Sequence, residues 1–212
     1  MNNFHFTVDE AHNKANNEYS KDVGRLQLSA GVLGLISLAT GLAIFFFTTA
    51  GWRLVALIAL GSFALFCLAL VFILPHQIGS AQRLYDAYPL VPAIIAEENP
   101  RDIVLMALVN VNVDESLPPQ HALALRTITK LEGHQRKVGT RVPAVAVSGR
   151  RSMTDSAHWD EVSPMPIAWG TPSAAVITEA EKAISSADWR RLEKALPRIK
   201  EVQATKYNLL VL

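Results

Sequence analysis

Cysteine is almost missing from this chain: among 212 residues there is only Cys67. That excludes an intramolecular disulfide and a cysteine-built zinc site, and a domain of this size without disulfides suits a reducing compartment. An excess of either charge is missing as well. Lysine and arginine number 20 against 19 acidic residues, a net charge of +1. A non-specific nucleic-acid binder carries a strong basic excess, so no nucleic-acid partner is expected. No phosphate loop, no Gly-x-Gly-x-x-Gly, no His-Glu-x-x-His and no Gly-x-Ser-x-Gly elbow occurs, and no cofactor is expected.

Charge is absent altogether from two stretches, residues 26–50 and 54–74. They account for most of a mean hydropathy of +0.21, high for a soluble chain. A hydrocarbon core of about 30 Å needs about 20 helical residues, and both stretches suffice. Neither shows the polar stripe of a core helix in a soluble protein. The first is too long for a cleaved signal peptide ending at Thr48, Thr49 and Ala50, and a second follows at once. The break at Gly51, Trp52 and Arg53 is short enough to force an antiparallel transmembrane hairpin, with Trp52 and Arg53 as interfacial anchors. Pro75 and His76 are expected to close the second helix, and Tyr85 and Tyr88 to lie near the opposite interface. Lys14, Lys21, Arg25 and Arg83 flank the hairpin, against Arg53 alone in its loop. The positive-inside rule then puts both termini in the cytoplasm of a plasma (inner) membrane protein.

A seam of small residues, Ala30, Gly34, Ser37 and Gly41, lies on one face of the first helix and permits close helix packing in lipid. The expected partner is the second helix through Ala56, Ala59, Ser62 and Ala69, with homodimer packing as the alternative. Neither span contains an ionisable group of the kind a pump or channel needs at depth, so the pair reads as an anchor.

The expected organisation is an N-terminal segment 1–25, the hairpin 26–75, a connector 76–90 and a globular domain 91–212. In the domain the pattern changes to period two. Residues 103–113, 122–131 and 142–147 read as strands, as do 165–169, 202–212 and 91–96. Two late helices interrupt them. One is capped by Thr171 with Pro172 at its first turn and an inward stripe of Ala175, Val176, Ala180 and Ile184. The other is capped by Ser185 or Ser186, turns Trp189, Leu192 and Leu196 inward and ends at Pro197. The fold class is α+β, a membrane hairpin followed by a small antiparallel β-barrel, OB-like or SH3-like, with late helical insertions.

Chemistry-bearing residues are sparse. Asp155, His158, Asp160 and Glu161 form the richest polar run, a candidate for a divalent metal or an enzyme site; the plainer alternative is a solvated loop with Trp159 dipping into the core. Ser148, Ser152, Ser156, His121, His134 and His158 offer only chance combinations for a nucleophilic triad. Arg136, Lys137, Arg141, Arg150 and Arg151 flank the third strand. They read as a surface for anionic lipid or a phosphorylated partner, or as solvated turns paired with carboxylates such as Glu132. Trp159, Trp169 and Trp189 read as core or half-buried.

Three stretches carry a likeness. They are Gly139-Thr140-Arg141-Val142-Pro143-Ala144-Val145-Ala146-Val147-Ser148-Gly149-Arg150-Arg151, His158-Trp159-Asp160-Glu161-Val162-Ser163-Pro164-Met165-Pro166-Ile167-Ala168-Trp169-Gly170-Thr171 and Ala204-Thr205-Lys206-Tyr207-Asn208-Leu209-Leu210-Val211-Leu212. They resemble an uncharacterised membrane-protein family of corynebacteria, mycobacteria and relatives, known only as a domain of unknown function. The resemblance implies an actinobacterial inner-membrane protein and brings no activity or catalytic residue. With no catalytic constellation and a bare anchor, the expectation is a non-enzymatic interaction or scaffold module at the bilayer, docking a protein partner or forming a homo-oligomer.

Overall fold

The computed structural model describes residues 4–78, 80–114, 116–151 and 155–212. Contacts divide the chain into two units, Tyr19–Ser80 and, as the other, the residues up to Glu18 together with Ala81–Leu212.

The helical unit holds most of α2 (Glu18–Phe47) and all of α3 (Arg53–Ile78). Within them Gly24–Phe47, 24 residues, and Arg53–Ile73, 21 residues, are long and apolar enough to cross a membrane, and only 17% and 11% of their apolar windows are buried. Gly34, Ser37 and Gly41 are buried and Ala30 half-buried along the seam. A β-carbon on Gly34 would lie 3.1 Å from Cys67 Cβ and 3.3 Å from the Ala64 carbonyl, and one on Gly41 would lie 3.2 Å from Leu60 Cβ. The facing surface of α3 is therefore Leu57, Leu60, Ala64, Cys67 and, against Gly31, Val71. Ala59, Ser62 and Ala69, expected there, are exposed and Ala56 is half-buried. The second helix thus meets the seam with a different face from the one expected: Gly34 lies against the small Ala64 and Cys67, and Gly41 against the larger Leu57 and Leu60. Pro75 does not end α3, which runs on to Ile78. Trp52 is exposed and the Arg53 guanidinium lies 5.4 Å from the centre of the Phe45 ring.

The globular unit begins before the hairpin. Asp9 caps α1 (Glu10–Asn16), its carboxylate accepting from His12 N–H at 2.9 Å. Asp9 N–H donates to the Gly170 carbonyl at 2.9 Å. Gln82 on α4 (Ala81–Ala87) bonds both ways to this segment, accepting from Val8 N–H at 2.8 Å and donating to the Phe6 carbonyl at 2.8 Å. The Glu18 carboxylate accepts the N–H groups of Thr129 and Lys130, at 2.8 and 2.9 Å, and the Thr129 hydroxyl. Residues 4–18 are thus part of the domain rather than a tail, and the expected connector contains α4 and the start of β1. Tyr85 is no interfacial aromatic: it is 1% exposed, and its hydroxyl donates to the Pro166 carbonyl at 2.9 Å. Burial pushes its phenol well above the ordinary range.

Six antiparallel strands follow: β1 (Leu90–Glu98), β2 (Ile103–Asn110), β3 (His121–Ile128), β4 (Arg141–Ser148), β5 (Val162–Pro166) and β6 (Leu209–Val211), in the order β5-β4-β1-β2-β3-β6. One face carries Val91, Ala93, Ala107, Ala122, Ala124, Ala144 and Ala146. Small side chains there let the sheet curl, and Arg126 of β3 reaches Ser163 of β5 at 2.9 Å although three strands lie between them. The expected small antiparallel barrel is therefore a half-barrel, with β5 and β6 as its edges. The opposite face meets α5 (Ala174–Ala183) and α6 (Ser186–Ala195): Arg141, in register with Ile94, places its guanidinium 5.1 Å over Trp189 and 2.7 Å from Glu193.

Local details differ from the sequence reading. Ser173, not Thr171, caps α5, and Ala175 is exposed while Ile177 is half-buried. The C-terminal stretch is not one strand: α7 (Ile199–Gln203) buries Val202, a 3-10 turn follows at Lys206–Asn208, and only then comes β6. The fourth expected strand lies earlier, ending at Pro166 where a 3-10 turn begins.

Candidate docking site at the open seam of the half-barrel

Register decides which backbone groups each edge strand exposes. Leu212 N–H donates to the His121 carbonyl at 3.0 Å, and Leu210 pairs with Leu123. Residues of even number on β6 therefore bond to β3, and the N–H and C=O groups of Leu209 and Val211 point outward. Among the described residues they have no backbone partner. On β5 the same alternation turns residues 162, 164 and 166 outward, since Gly149 N–H donates to the Glu161 carbonyl at 2.8 Å and Val147 pairs with Ser163. Two of those three are Pro164 and Pro166, which carry no donor, and the Pro166 carbonyl is taken by Tyr85. Proline on an edge strand is a known guard against strand addition. β5 has that guard; β6, a run of leucine and valine without charge or proline, does not.

Beside the β6 edge lies an open cleft of about 580 Å³. Its floor is Val111, Trp159, Leu209 and Val211, and its rim is Gln120, Asp155, His158, Asp160, Lys206 and Tyr207. Two chain segments form its walls. The first is the arm leading into β5. Trp159 N–H donates to the Val111 carbonyl at 2.8 Å and Val113 N–H to the Ala157 carbonyl at 2.9 Å, laying the arm along the residues that follow β2. Asp155 shapes it, accepting Ala157 N–H and pairing with His158 Nδ1, each at 2.9 Å. These bonds, His158 first, hold the Asp155 carboxyl below the usual range. The second wall is the 3-10 turn before β6. Tyr207 and Asn208 both have positive φ, 64° and 52°. Asparagine tolerates that region, but for a tyrosine it is a strained conformation that needs external support. Arg150 supplies it, donating to the Tyr207 hydroxyl at 2.6 Å, and Lys206 Nζ lies 5.0 Å from the ring centre. The hydrogen bond from Arg150, then that from Lys206, holds the phenol below its ordinary value. The Arg150–Tyr207 contact thus ties the end of β4 to the turn that aims β6.

The acidic run converges only in part: Asp155 and His158 pair and, with Asp160, line one cleft, while Glu161 does not. Asp160 and Glu161 are placed by backbone bonds to Arg150, and among the described residues no three His, Cys, Asp or Glu side chains gather as a metal site would require. Of the serines and histidines considered for a triad, Ser152 lies outside the described residues. Asp155 and His158 do meet, but no described serine hydroxyl is hydrogen-bonded to His121, His134 or His158. Burial lowers the pKa of both His121 and His134.

The cations are engaged one by one. Arg136 donates to the Asn99 and Asp102 carbonyls, each at 3.1 Å, clamping the β1–β2 turn. Arg141 is held by Glu193 and Glu181, Arg150 by Tyr207, and Arg151 lies 5.9 Å over Trp159. Lys137 is exposed. Their acceptors are not Glu132, which instead takes Asn16 Nδ2 at 3.4 Å. Trp169 and Trp189 are core, their indoles donating to the Lys130 and Glu181 carbonyls, and Trp159 is half-buried in the cleft floor.

A smaller apolar groove, about 220 Å³, opens between Leu90, Pro92, Leu108, His121 and Ile184. Its cause is Pro92, whose missing N–H faces β2: the β1–β2 ladder begins only at the Ala93–Ala107 pair.

A profile of the family described as "Protein of unknown function (DUF3239)" matches residues 76–200. A solved structure, of a "putative membrane protein from Corynebacterium diphtheriae", is similar at 56% sequence identity with a TM-score of 0.57; the match covers 58% of this chain and 100% of that one. No curated protein matches. The matched residues take in the arm, β4 and β5; the stretch 204–212, with β6, falls outside them.

Proposed function

The chain belongs to the DUF3239 family, and on that premise we propose that it is a membrane-anchored, non-enzymatic docking module that adds a strand to the β6 edge of its half-barrel. Two long helices, uncharged over residues 26–47 and 54–73 and with their apolar surface exposed, support the anchor. The similar corynebacterial protein is described as a "putative membrane protein", which fits. The chain leaves the globular unit after Glu18 and re-enters it at Ala81, so both ends of a spanning hairpin belong to one side. The lysines and arginines flanking it favour the cytoplasmic side of the plasma membrane.

The observation that carries the docking reading is the inequality of the two edges. The same sheet bars strand addition at β5 with two prolines and leaves β6 apolar, donor-bearing and bordered by a cleft able to take side chains. Strand addition of this kind draws affinity from main-chain hydrogen bonds and specificity from adjacent pockets. An anionic-lipid surface has less support, since four of the five candidate cations already have partners in the domain.

The test is site-specific cross-linking from β6 in the full-length protein, in native membranes. Val211→Pro removes the outward N–H without touching the bonds to β3. It should reduce β6 cross-linking about ten-fold, the loss of roughly 1.4 kcal/mol. Val138→Asp, on a distant exposed turn, should leave it intact. Cross-linking indifferent to Val211→Pro would refute docking at this edge.

A further inference from the structure

We infer that the strand which completes the sheet at β6 is β6 of a second copy, related by a two-fold axis at Leu210. This rests on the docking reading above and names its occupant. An isologous contact needs one surface that is its own complement, and β6 meets that requirement in hydrogen bonds, side chains and charge. With the axis at Leu210, Leu209 of one copy lies opposite Val211 of the other, and the reverse. These are the residues whose N–H and C=O groups point outward, so each pair exchanges two hydrogen bonds. The facing side chains are Leu209 with Val211 and Leu210 with Leu210, all apolar and all half-buried or exposed, a favourable set of cross-strand pairs. No charged side chain falls within residues 207–212, and the nearest, Lys206, is four positions from the axis; no like-charged side chains oppose one another.

Area bears on the setting. A contact centred on a three-residue strand buries far less than the ~1,000 Å² expected of a stable free dimer. Copies held in one bilayer by their hairpins meet at a raised effective concentration, which compensates for a small interface. Self-pairing is therefore a property of the anchored protein, and dilute detergent-solubilised protein is expected to be largely monomeric.

The test uses Leu210→Cys in the full-length chain carrying Cys67→Ala, reconstituted in phosphatidylcholine–phosphatidylglycerol vesicles and oxidised with copper–phenanthroline. Opposed residues of a non-hydrogen-bonded antiparallel pair stand about 4.5 Å apart at Cα, within disulfide reach. Covalent dimer should form roughly ten-fold or more faster than from Val138→Cys, which reports random collision. Adding Val211→Pro should remove the difference, while tryptophan fluorescence verifies the fold. Leu210→Cys oxidising no faster than Val138→Cys overturns self-pairing. If, in native membranes, β6 then still cross-links to a different protein in a manner sensitive to Val211→Pro, docking stands and only the second copy is wrong. If that too is lost, both fail.

Discussion

Replacing Gly170 with alanine tests how firmly residues 4–18 belong to the domain. The backbone there, φ −86° and ψ −21°, suits any residue, so the effect is steric. A β-carbon would stand 2.8 Å from Phe6 Cζ, 2.8 Å from Tyr85 Cε2 and 3.0 Å from Phe6 Cε2. Carbon atoms pack best at about 3.5–4.0 Å, so the rings must withdraw by about 0.7 Å or more. Tyr85 cannot easily do so: it is buried and anchored through its hydroxyl to Pro166. Phe6 is half-buried and packs edge-on against Tyr85 with centroids 5.0 Å apart, so it is the ring that moves. Overpacking of this kind costs about 1–3 kcal/mol. Giving up Phe6 packing would relieve the Phe6 contacts at about half of the ~3 kcal/mol of a fully buried large side chain, but it leaves the 2.8 Å contact with Tyr85 Cε2. Gly170→Ala should therefore destabilise by about 1–3 kcal/mol. Phe6→Ala should cost about half of that ~3 kcal/mol, and the double variant less than the sum of the two. The assay is urea unfolding of the full chain in detergent, followed by tryptophan fluorescence, with limited proteolysis of the N-terminal segment. A neutral Gly170→Ala, or strictly additive costs, would show that the segment does not pack there.

Gly34→Leu should force the two long helices apart, because Cys67 Cβ and the Ala64 carbonyl leave no room. Cys67, 3% exposed, should then react with a lipid-soluble maleimide roughly ten-fold faster or more; unchanged labelling would contradict the packing. Arg141→Ala loses the Glu193 bond and the stacking on Trp189. Half-exposed as it is, it should cost about 1 kcal/mol and leave binding to anionic vesicles unaltered, as sedimentation would show. The Asp155 carboxyl is held low, so its contribution to the arm is complete above the ordinary carboxylate value and disappears as pH falls through the lowered one. Trp159 fluorescence should accordingly change only below about pH 4, and that transition should be missing in Asp155→Asn.

The two long apolar helices were legible because an uncharged run long enough to span a bilayer is rare in a chain that water surrounds. The central strands were legible for a related reason: Ile103 to Val109 is an unbroken apolar run of strand length, and both of its faces are buried. Short segments were not. Residues 4–18 dock through caps and single hydrogen bonds to Gly170, Gln82 and Lys130, which leave no periodic trace. Val202 reads equally as the first residue of a strand or the buried residue of one helical turn, and packing against β3 selected the turn. The seam was half legible: small residues mark one helix of a close pair, but not which face of its partner, here Leu57, Leu60, Ala64 and Cys67, meets them. At the candidate site the polar residues of the arm were visible in sequence. Their arrangement with Lys206 and Tyr207 was not, because β6 meets the arm only after the sheet has curled. The edge asymmetry itself was half visible, in Pro164 and Pro166, but which way a proline nitrogen points depends on register.

Docking at β6 requires that its outward backbone be paired in the anchored protein. The decisive experiment is amide hydrogen exchange of the full-length chain, compared between lipid vesicles and dilute detergent. Leu210 and Leu212 are bonded to β3 and should be protected in both. The amides of Leu209 and Val211 should exchange freely in dilute detergent and become protected in the vesicles. If those two exchange as fast in vesicles as in detergent, the β6 edge is not a docking strand.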